Sequence, residues 1–318
     1  MDPGERPIRF LIAAQLALGA ALAVAPLAQA GERGTLSALT WTDPAAARAV
    51  LLRQPAACEA PDRDAGQIEA GQIDTGRALF NTPQLLGGQA ARAAISCASC
   101  HANGRRSAHF QLDGISAGPG TADVSAGFFS VARDDGRFDP KPIPDLAVPG
   151  KIARSEPGVL EAFLRTLIVG EFAGHEPPPA AISALAAYVR AIRPCPNDAD
   201  QPQTMARQIE LVRAAVRAAA GMAARGEPET AALLISGARH QLGLIDERLP
   251  GADLAAERAA LLAASRALQP VAGAESPSPQ QLRGWLAGFD RKLAPRLKAR
   301  EARSLYRAEV LERWLARR

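Results

Sequence analysis

The feature that most restricts this sequence is a five-residue motif, Cys97-Ala98-Ser99-Cys100-His101. The pattern C-x-x-C-H is the attachment signature of c-type haem. Its two thiols are one helical turn apart and add to the two vinyl groups of one porphyrin, and the next residue is placed to coordinate the iron. We therefore predict one covalent haem c held by Cys97 and Cys100, with His101 as the proximal iron ligand.

Two other functions use a pair of cysteines at this spacing. A redox-active dithiol is typical of a βαβ context, which the sequence around the motif does not predict. A zinc site needs a second pair of ligands at finger spacing, and the sequence offers none. The motif therefore favours haem over both alternatives.

The first thirty residues have the pattern of a secretory signal. Arg6 and Arg9 precede an apolar run over 10–24, and Ala28-Gln29-Ala30 supplies the small residues that signal peptidase accepts. Since a membrane span needs ~20 apolar residues, we predict a signal peptide over 1–30 with cleavage after Ala30. An uncleaved anchor is the alternative. Export leads to the periplasm, where haem c is attached and disulfides persist.

Composition and periodicity predict an all-α protein. Aromatic residues make up only 4% of the chain, so the core is built mainly from Ala, Leu, Ile and Val, and an alanine-rich core favours helices. We predict a leader over 31–73, a cytochrome c-like haem domain over 74–196 and an antiparallel helical bundle over 204–318. The four bundle helices are expected near 204–224, 228–248, 252–268 and 279–317, with Ser278 capping the last and Pro295 kinking it.

Within the first two segments, helices alternate with irregular chain. Asp43 caps a short helix through Leu52, and Asp74 or Thr75 is the expected cap of the next helix. A linker is expected over 81–95. From 103 to 151 glycine and proline are frequent and periodicity is absent, and a loop of this length usually packs on a functional site or a cofactor. Apolar stripes at 160–168 and 182–189 predict two more helices.

The run from Gly76 to Phe80, together with the motif, resembles the haem-binding half of bacterial di-haem cytochrome c peroxidases and related methylamine-utilisation haem proteins. The resemblance covers roughly residues 75–195. It implies that Gly76 and Phe80 of a first helix pack against Tyr188 of a terminal helix. Those enzymes carry two C-x-x-C-H motifs and this chain carries one, so the resemblance implies a mono-haem domain and does not transfer peroxidase activity.

The sixth position on the iron separates electron transfer from catalysis, because a coordinated His or Met gives a low-spin haem and an open position gives a reactive one. His109, eight residues after His101, is the first candidate for the distal ligand, and His175 is the second. An open or water-bound site is a third interpretation, and either histidine also fits a role in its loop. Met205 and Met222 lie outside the predicted haem domain.

Two residue pairs flank the predicted haem. Cys58 and Cys195 lie at either end of the haem domain and are candidates for a disulfide, with two free thiols as the alternative. Arg105 and Arg106 follow the motif and are suited to the haem propionates, since Arg binds carboxylates in bidentate fashion. A solvated surface pair is the other interpretation.

Positive charge is concentrated at the C-terminus. Residues 201–318 hold 19 basic and 12 acidic side chains, and residues 291–318 hold ten basic and three acidic. This segment is predicted to dock an acidic redox partner or to make peripheral contact with an anionic membrane, or it is a solvated helix face. The net charge of +4 is too small to indicate nucleic-acid binding. His240 lacks neighbouring ligands and is interpreted as structural or solvent-facing.

Two functions follow from these features, and no catalytic residue is assigned for either. The first is a periplasmic mono-haem electron carrier, favoured by the single motif and by the lack of an identifiable acid–base pair. The second is a peroxide-reducing haem enzyme that draws electrons from a partner protein. A haem-based sensor, in which the bundle relays ligand binding, is a third interpretation that no residue favours.

Overall fold

A computed structural model describes residues 36–60, 70–150, 154–156, 158–197 and 199–317. Helices dominate these ranges, which confirms the all-α class at the level of secondary structure. The predicted signal peptide lies outside the described residues. Among the helices that are described, none combines the length and apolar character needed to cross a bilayer.

Short helices surround the motif. They are α1 (Ala47–Leu52), α2 (Ala70–Phe80), α3 (Pro83–Leu86), α4 (Gly88–Arg92) and α5 (Cys97–Cys100). Asp43 accepts a hydrogen bond from the Ala45 backbone N–H and begins the 3₁₀ turn that leads into α1, as predicted. The cap predicted at Asp74 or Thr75 is wrong, because both residues lie within α2. Asp74 instead pairs with Arg77, one turn further along the helix.

Two boundaries predicted from the sequence differ from the helix bounds in the structure. The predicted start of the haem domain at residue 74 falls inside α2. The predicted linker over 81–95 contains α3 and α4. Pro83 occupies the first turn of α3, where its missing N–H costs no helical hydrogen bond. These helices are too short to show an apolar period in the sequence.

Helices α6 (Val159–Thr166) and α7 (Pro179–Ala191) follow the irregular region. A π-helical turn at Leu167–Glu171 extends α6. The stripe predicted at 160–168 is buried only in part: Leu160 and Ile168 are buried, whereas Phe163 is 39% exposed. Helix α7 is buried over most of its length, so its apolar residues form a core helix.

Helices α2 and α7 cross in close contact at Gly76. A Cβ atom at this position would overlap the Ala184 carbonyl oxygen and lie 2.7 Å from the Cβ of Tyr188. One turn later the Phe80 ring meets the Tyr188 ring edge-on, with ring centroids 5.1 Å apart. The three positions named by the resemblance therefore lie together at one helix crossing.

Turns and two small strand pairs organise the irregular parts of the chain. Strand β1 (Arg53–Gln54) pairs with β4 (Gln201–Pro202), and β2 (Thr121–Ala122) pairs with β3 (Lys141–Pro142), both antiparallel. Buried Asp123 accepts hydrogen bonds from the backbone N–H and hydroxyl of Ser125 and from the backbone N–H of Asp139. This carboxylate therefore joins two turns of the loop that follows the motif.

The C-terminal part begins with three long helices. They are α8 (Met205–Ala224), α9 (Pro228–Glu247) and α10 (Ala255–Ala272), followed by α11 (Pro279–Gly288), α12 (Ala294–Arg300) and α13 (Ala308–Leu315). Ser278 caps α11 by accepting from the Gln281 backbone N–H, as predicted. The single helix predicted over 279–317 runs through α11, a π-helical turn at Phe289–Leu293 and α12, and α13 follows as a separate helix. Pro295 lies in the first turn of α12, and because proline lacks the N–H that an α-helical ladder needs, the widened turn lies directly before it.

The two predicted domains share an apolar core. One cluster of buried residues runs from Leu79 and Leu185 near the motif into Ile209 and Leu234 of α8 and α9. A second, smaller cluster packs the apolar face of α13, including Leu311 and Trp314, with Leu36 and Leu51 of the N-terminal segment. The C-terminal helices therefore cover the chain that precedes and carries the motif.

Candidate functional site

The motif forms a single helical turn. The His101 backbone N–H donates to the Cys97 carbonyl at 2.9 Å, and the Ser96 backbone N–H donates to the Ser99 hydroxyl at 3.1 Å, which closes the start of the turn. Residues three and four apart share a helix face, so Cys97, Cys100 and His101 project from the same side. Both thiols are free and pack against the apolar core.

A backbone carbonyl determines which ring nitrogen of His101 carries the proton. Its Nδ1 lies 3.1 Å from the carbonyl oxygen of Pro144. Because a carbonyl only accepts, Nδ1 carries the proton, and Nε2 keeps the lone pair that binds metals. Burial lowers the pKa of His101 to about 4, so the ring is neutral near pH 7. The tautomer and the charge are those that an iron ligand requires.

The two thiols are held protonated. Burial raises the pKa of both Cys97 and Cys100 to about 12. A redox-active dithiol needs the opposite shift, because the thiolate is the attacking species and its pKa is lowered at reactive sites. The environment of the motif therefore argues against the dithiol alternative.

Arginine and backbone contacts hold the segment that carries Pro144. Arg105 Nε lies 3.0 and 2.9 Å from the two carboxylate oxygens of Asp145. The Leu146 backbone N–H donates to the Gly104 carbonyl at 3.0 Å. Arg105, which the sequence suggested for the propionates, is thus engaged with a protein carboxylate. Arg106 is exposed.

A disulfide joins Cys58 to Cys195, with Cα atoms 5.3 Å apart. The Arg193 backbone N–H donates to the Cys58 carbonyl at 2.9 Å, so a hydrogen bond joins the same two segments as the disulfide. Together these bonds hold the chain that precedes α2 against the end of α7, the helix that crosses α2 at Gly76.

His109, the first candidate for the distal ligand, lies in the loop that follows the motif. His109 is exposed and lines a cavity of about 360 Å³ together with Ala98 and Ser99, the two residues between the cysteines. The side chains of Cys97, Cys100 and His101 are not among the residues that line this cavity. His109 stays a prediction as the distal ligand.

His175 is exposed in the loop between the π-helical turn and α7. Its neighbour Gly174 packs closely on the Leu86 carbonyl and on Ile168, which holds this loop against the core. His175 stays a prediction as the distal ligand. Met205 and Met222 are buried in α8, and Met222 Sδ accepts a hydrogen bond from Arg225.

One contact at the site was missed in the sequence, and one residue named there takes the first of its two proposed roles. Pro144 stands in a proline-rich run that indicated a loop but gave no sign that its carbonyl faces His101. His240 lines the same cavity as His109, and burial lowers its pKa to about 4. It is therefore a half-buried histidine on α9, neutral near pH 7, which favours the structural role over the solvent-facing one.

Comparison of the chain with protein-family models, curated proteins and solved structures finds no match. Within the ranges that the structure covers, no three His, Cys, Asp or Glu side chains are grouped to hold a metal ion. A haem iron needs fewer protein ligands, because the porphyrin supplies four nitrogens and one histidine completes the proximal side. Two free thiols and a neutral, oriented imidazole on one face fit haem c.

Proposed function

We propose that this protein is a periplasmic mono-haem c-type cytochrome that carries electrons. The observation that carries the proposal is that Cys97, Cys100 and His101 lie on one face of a helical turn. The His101 Nδ1–H donates a hydrogen bond to the Pro144 carbonyl. The second cytochrome-like feature is the close crossing of α2 and α7 at Gly76, beside the motif. We assign the cytochrome c-like haem domain to the chain around this crossing and the helical bundle to α8–α13.

The bound haem would supply a reversible one-electron couple at its iron. The chain's own residues perform the remaining tasks. Cys97 and Cys100 would hold the porphyrin as thioethers, so the group would not dissociate during turnover. His101 would present Nε2 to the iron, and its hydrogen bond to Pro144 keeps the ring from rotating. The apolar core behind the thiols excludes water from that side.

Partner docking is proposed near the haem edge. Large apolar side chains are exposed in the loops after the motif, with Val131 86% and Phe138 59% exposed. The basic C-terminal segment is the second docking candidate, although Glu257 already pairs with Arg296 and Arg300.

A peroxide-reducing enzyme is the second candidate function. The observation that favours it is that Met205 and Met222 are both buried in α8, where Met222 Sδ already accepts a hydrogen bond from Arg225. If neither His109 nor His175 binds the iron, the distal position is open to peroxide. Such an enzyme would take its electrons from a partner protein, because this chain carries one C-x-x-C-H motif.

The visible spectrum of the ferric protein, purified from a host that matures haem c, separates the two functions. We expect a low-spin, six-coordinate spectrum that peroxide leaves unchanged. The variants His109→Ala and His175→Ala then test the first and second candidates for the distal ligand: only the variant that removes the bound histidine is expected to convert the spectrum to high-spin. A high-spin wild-type spectrum that shifts on adding peroxide would favour the enzyme.

A further inference from the structure

The segment that supplies the Pro144 carbonyl is fastened to the chain immediately after the motif by two independent contacts. One is the backbone hydrogen bond from Leu146 to Gly104, and the other is the ion pair between Arg105 and Asp145. The ion pair is largely buried, with the two side chains 12% and 25% exposed. Asp145 also accepts from the Ala147 backbone N–H at 2.8 Å, which fixes the turn on the far side of Pro144.

These contacts bracket the acceptor of the His101 proton. Pro144 immediately precedes Asp145, and Arg105 is four residues after His101. The ion pair therefore closes a small ring of chain that runs from His101 to Arg105, across to Asp145, and back through the Pro144 carbonyl to the imidazole. Because Asp145 is held at both of its oxygens, the carbonyl one residue earlier has little freedom to turn away.

We propose that the Arg105–Asp145 ion pair is a positioning device that sets the strength of the Pro144–His101 hydrogen bond and, through it, the reduction potential of the haem. This inference rests on the proposed function. A stronger acceptor at Nδ1 makes the imidazole a better donor to the iron and stabilises the ferric state. Loosening the ion pair weakens that bond and raises the potential.

An ion pair that acts only through its charges and one that positions Pro144 predict opposite shifts in reduction potential for Arg105→Gln. If the pair acted only through its charges, removing the cation with Arg105→Gln would lower the potential, and removing the anion with Asp145→Asn would raise it. If the pair acts by holding Pro144, both substitutions loosen the same carbonyl and both raise the potential. The sign observed for Arg105→Gln therefore decides between the two.

The test measures the reduction potential of the holoprotein by spectroelectrochemistry for wild type, Arg105→Gln and Asp145→Asn. Arg213→Gln and Asp290→Asn are the matched controls, since this Arg–Asp pair at 2.7 Å joins α8 to the π-helical turn after α11. We expect upward shifts in both site variants and no shift in either control. A downward shift in Arg105→Gln, or no shift in both site variants, would overturn the inference.

A second measurement does not depend on the haem potential. Hydrogen exchange of the Leu146 amide, which is bonded to the Gly104 carbonyl, is expected to speed up in both site variants and to stay unchanged in the controls. Arg105→Lys keeps the charge but loses the planar guanidinium that binds both carboxylate oxygens. It is therefore expected to speed up exchange and raise the potential, each by less than Arg105→Gln does. Unchanged exchange in Arg105→Gln would contradict the positioning role.

The two levels of the proposal fail separately. Wild-type protein without covalent haem would overturn the proposed function. Wild-type protein with haem, whose two site variants shift in opposite directions, would overturn only the role of the ion pair. Where a site variant loses haem during maturation, Arg105→Lys carries the potential measurement.

Discussion

The chain before residue 198 and the chain after it are stabilised differently. Seven of the eight exposed large apolar side chains within the described chain lie between 124 and 163, and only Leu262 lies in the C-terminal helices. The first part depends on particular contacts: a disulfide, a glycine crossing and a carbonyl bound to His101. The second part depends on apolar residues repeated along α8, α9 and α10. Periodic helices tolerate single changes, whereas the chain around the motif has few substitutes for each contact.

The disulfide provides the largest test of this difference. Replacing both Cys58 and Cys195 by alanine opens a loop of 137 residues. In the chain-entropy model this lowers the free energy of unfolding by about 5 kcal/mol. Urea unfolding of wild type and variant measures the change, and a thiol reductant should weaken the wild type while leaving the variant unaffected. Equal unfolding midpoints would show that the motif region does not depend on this bond.

The glycine crossing gives the next effect. Gly76→Ala forces a methyl group against the Ala184 carbonyl, so α2 must move away from α7. We expect a loss of about 3 kcal/mol or more, at the upper end for overpacking. Gly71→Ala is the control in the same helix, because nothing lies within 4 Å of its Cβ. It is expected to be neutral or stabilising, since alanine favours helices. Equal effects of the two substitutions would contradict the close crossing.

His240 allows the C-terminal part to be tested by pH. Its folded-state pKa is about 4 because burial disfavours the cation, whereas the unfolded chain titrates near the ordinary value of about 6.5. The unfolded state therefore binds the proton first, and stability falls as pH drops from about 6.5 towards 4. The loss reaches about 2 kcal/mol at pH 5.

The variant His240→Gln isolates that contribution. Free energies of unfolding measured from pH 8 to pH 4 should fall less steeply in the variant than in wild type, with the two curves separating below about pH 6.5. Parallel curves would mean that His240 is solvated in the native state. The carboxylates titrate equally in both proteins, so they cancel in the difference.

Periodicity predicted the C-terminal helices because each repeats an apolar face over many turns. The bounds of α8 and α9 follow the sequence within one residue, and Ser278 caps α11 as expected. Pro295 indicated an irregularity, which the structure has as a π-helical turn just before it, but the sequence did not show that α13 folds back onto α1. Such long-range contacts are fixed by packing, which a local pattern does not encode.

Near the motif the local chemistry was predictable and the partners were not. The spacing of Cys97, Cys100 and His101 determined their common face. The carbonyl of Pro144 is 43 residues from His101, and nothing local to either residue marks the pairing. For the same reason the sequence does not give the direction of His109 relative to His101, because eight residues of irregular chain lead in any direction.

The central claim is that the motif binds one haem covalently, and intact mass spectrometry tests it most directly. The exported wild-type protein, produced in a host that matures haem c, is compared with the variant Cys97→Ser/Cys100→Ser. The account predicts that the wild type carries the mass of one haem after denaturation and that the variant carries none. A wild-type mass equal to that of the bare polypeptide, under conditions where a control cytochrome is matured, would contradict it.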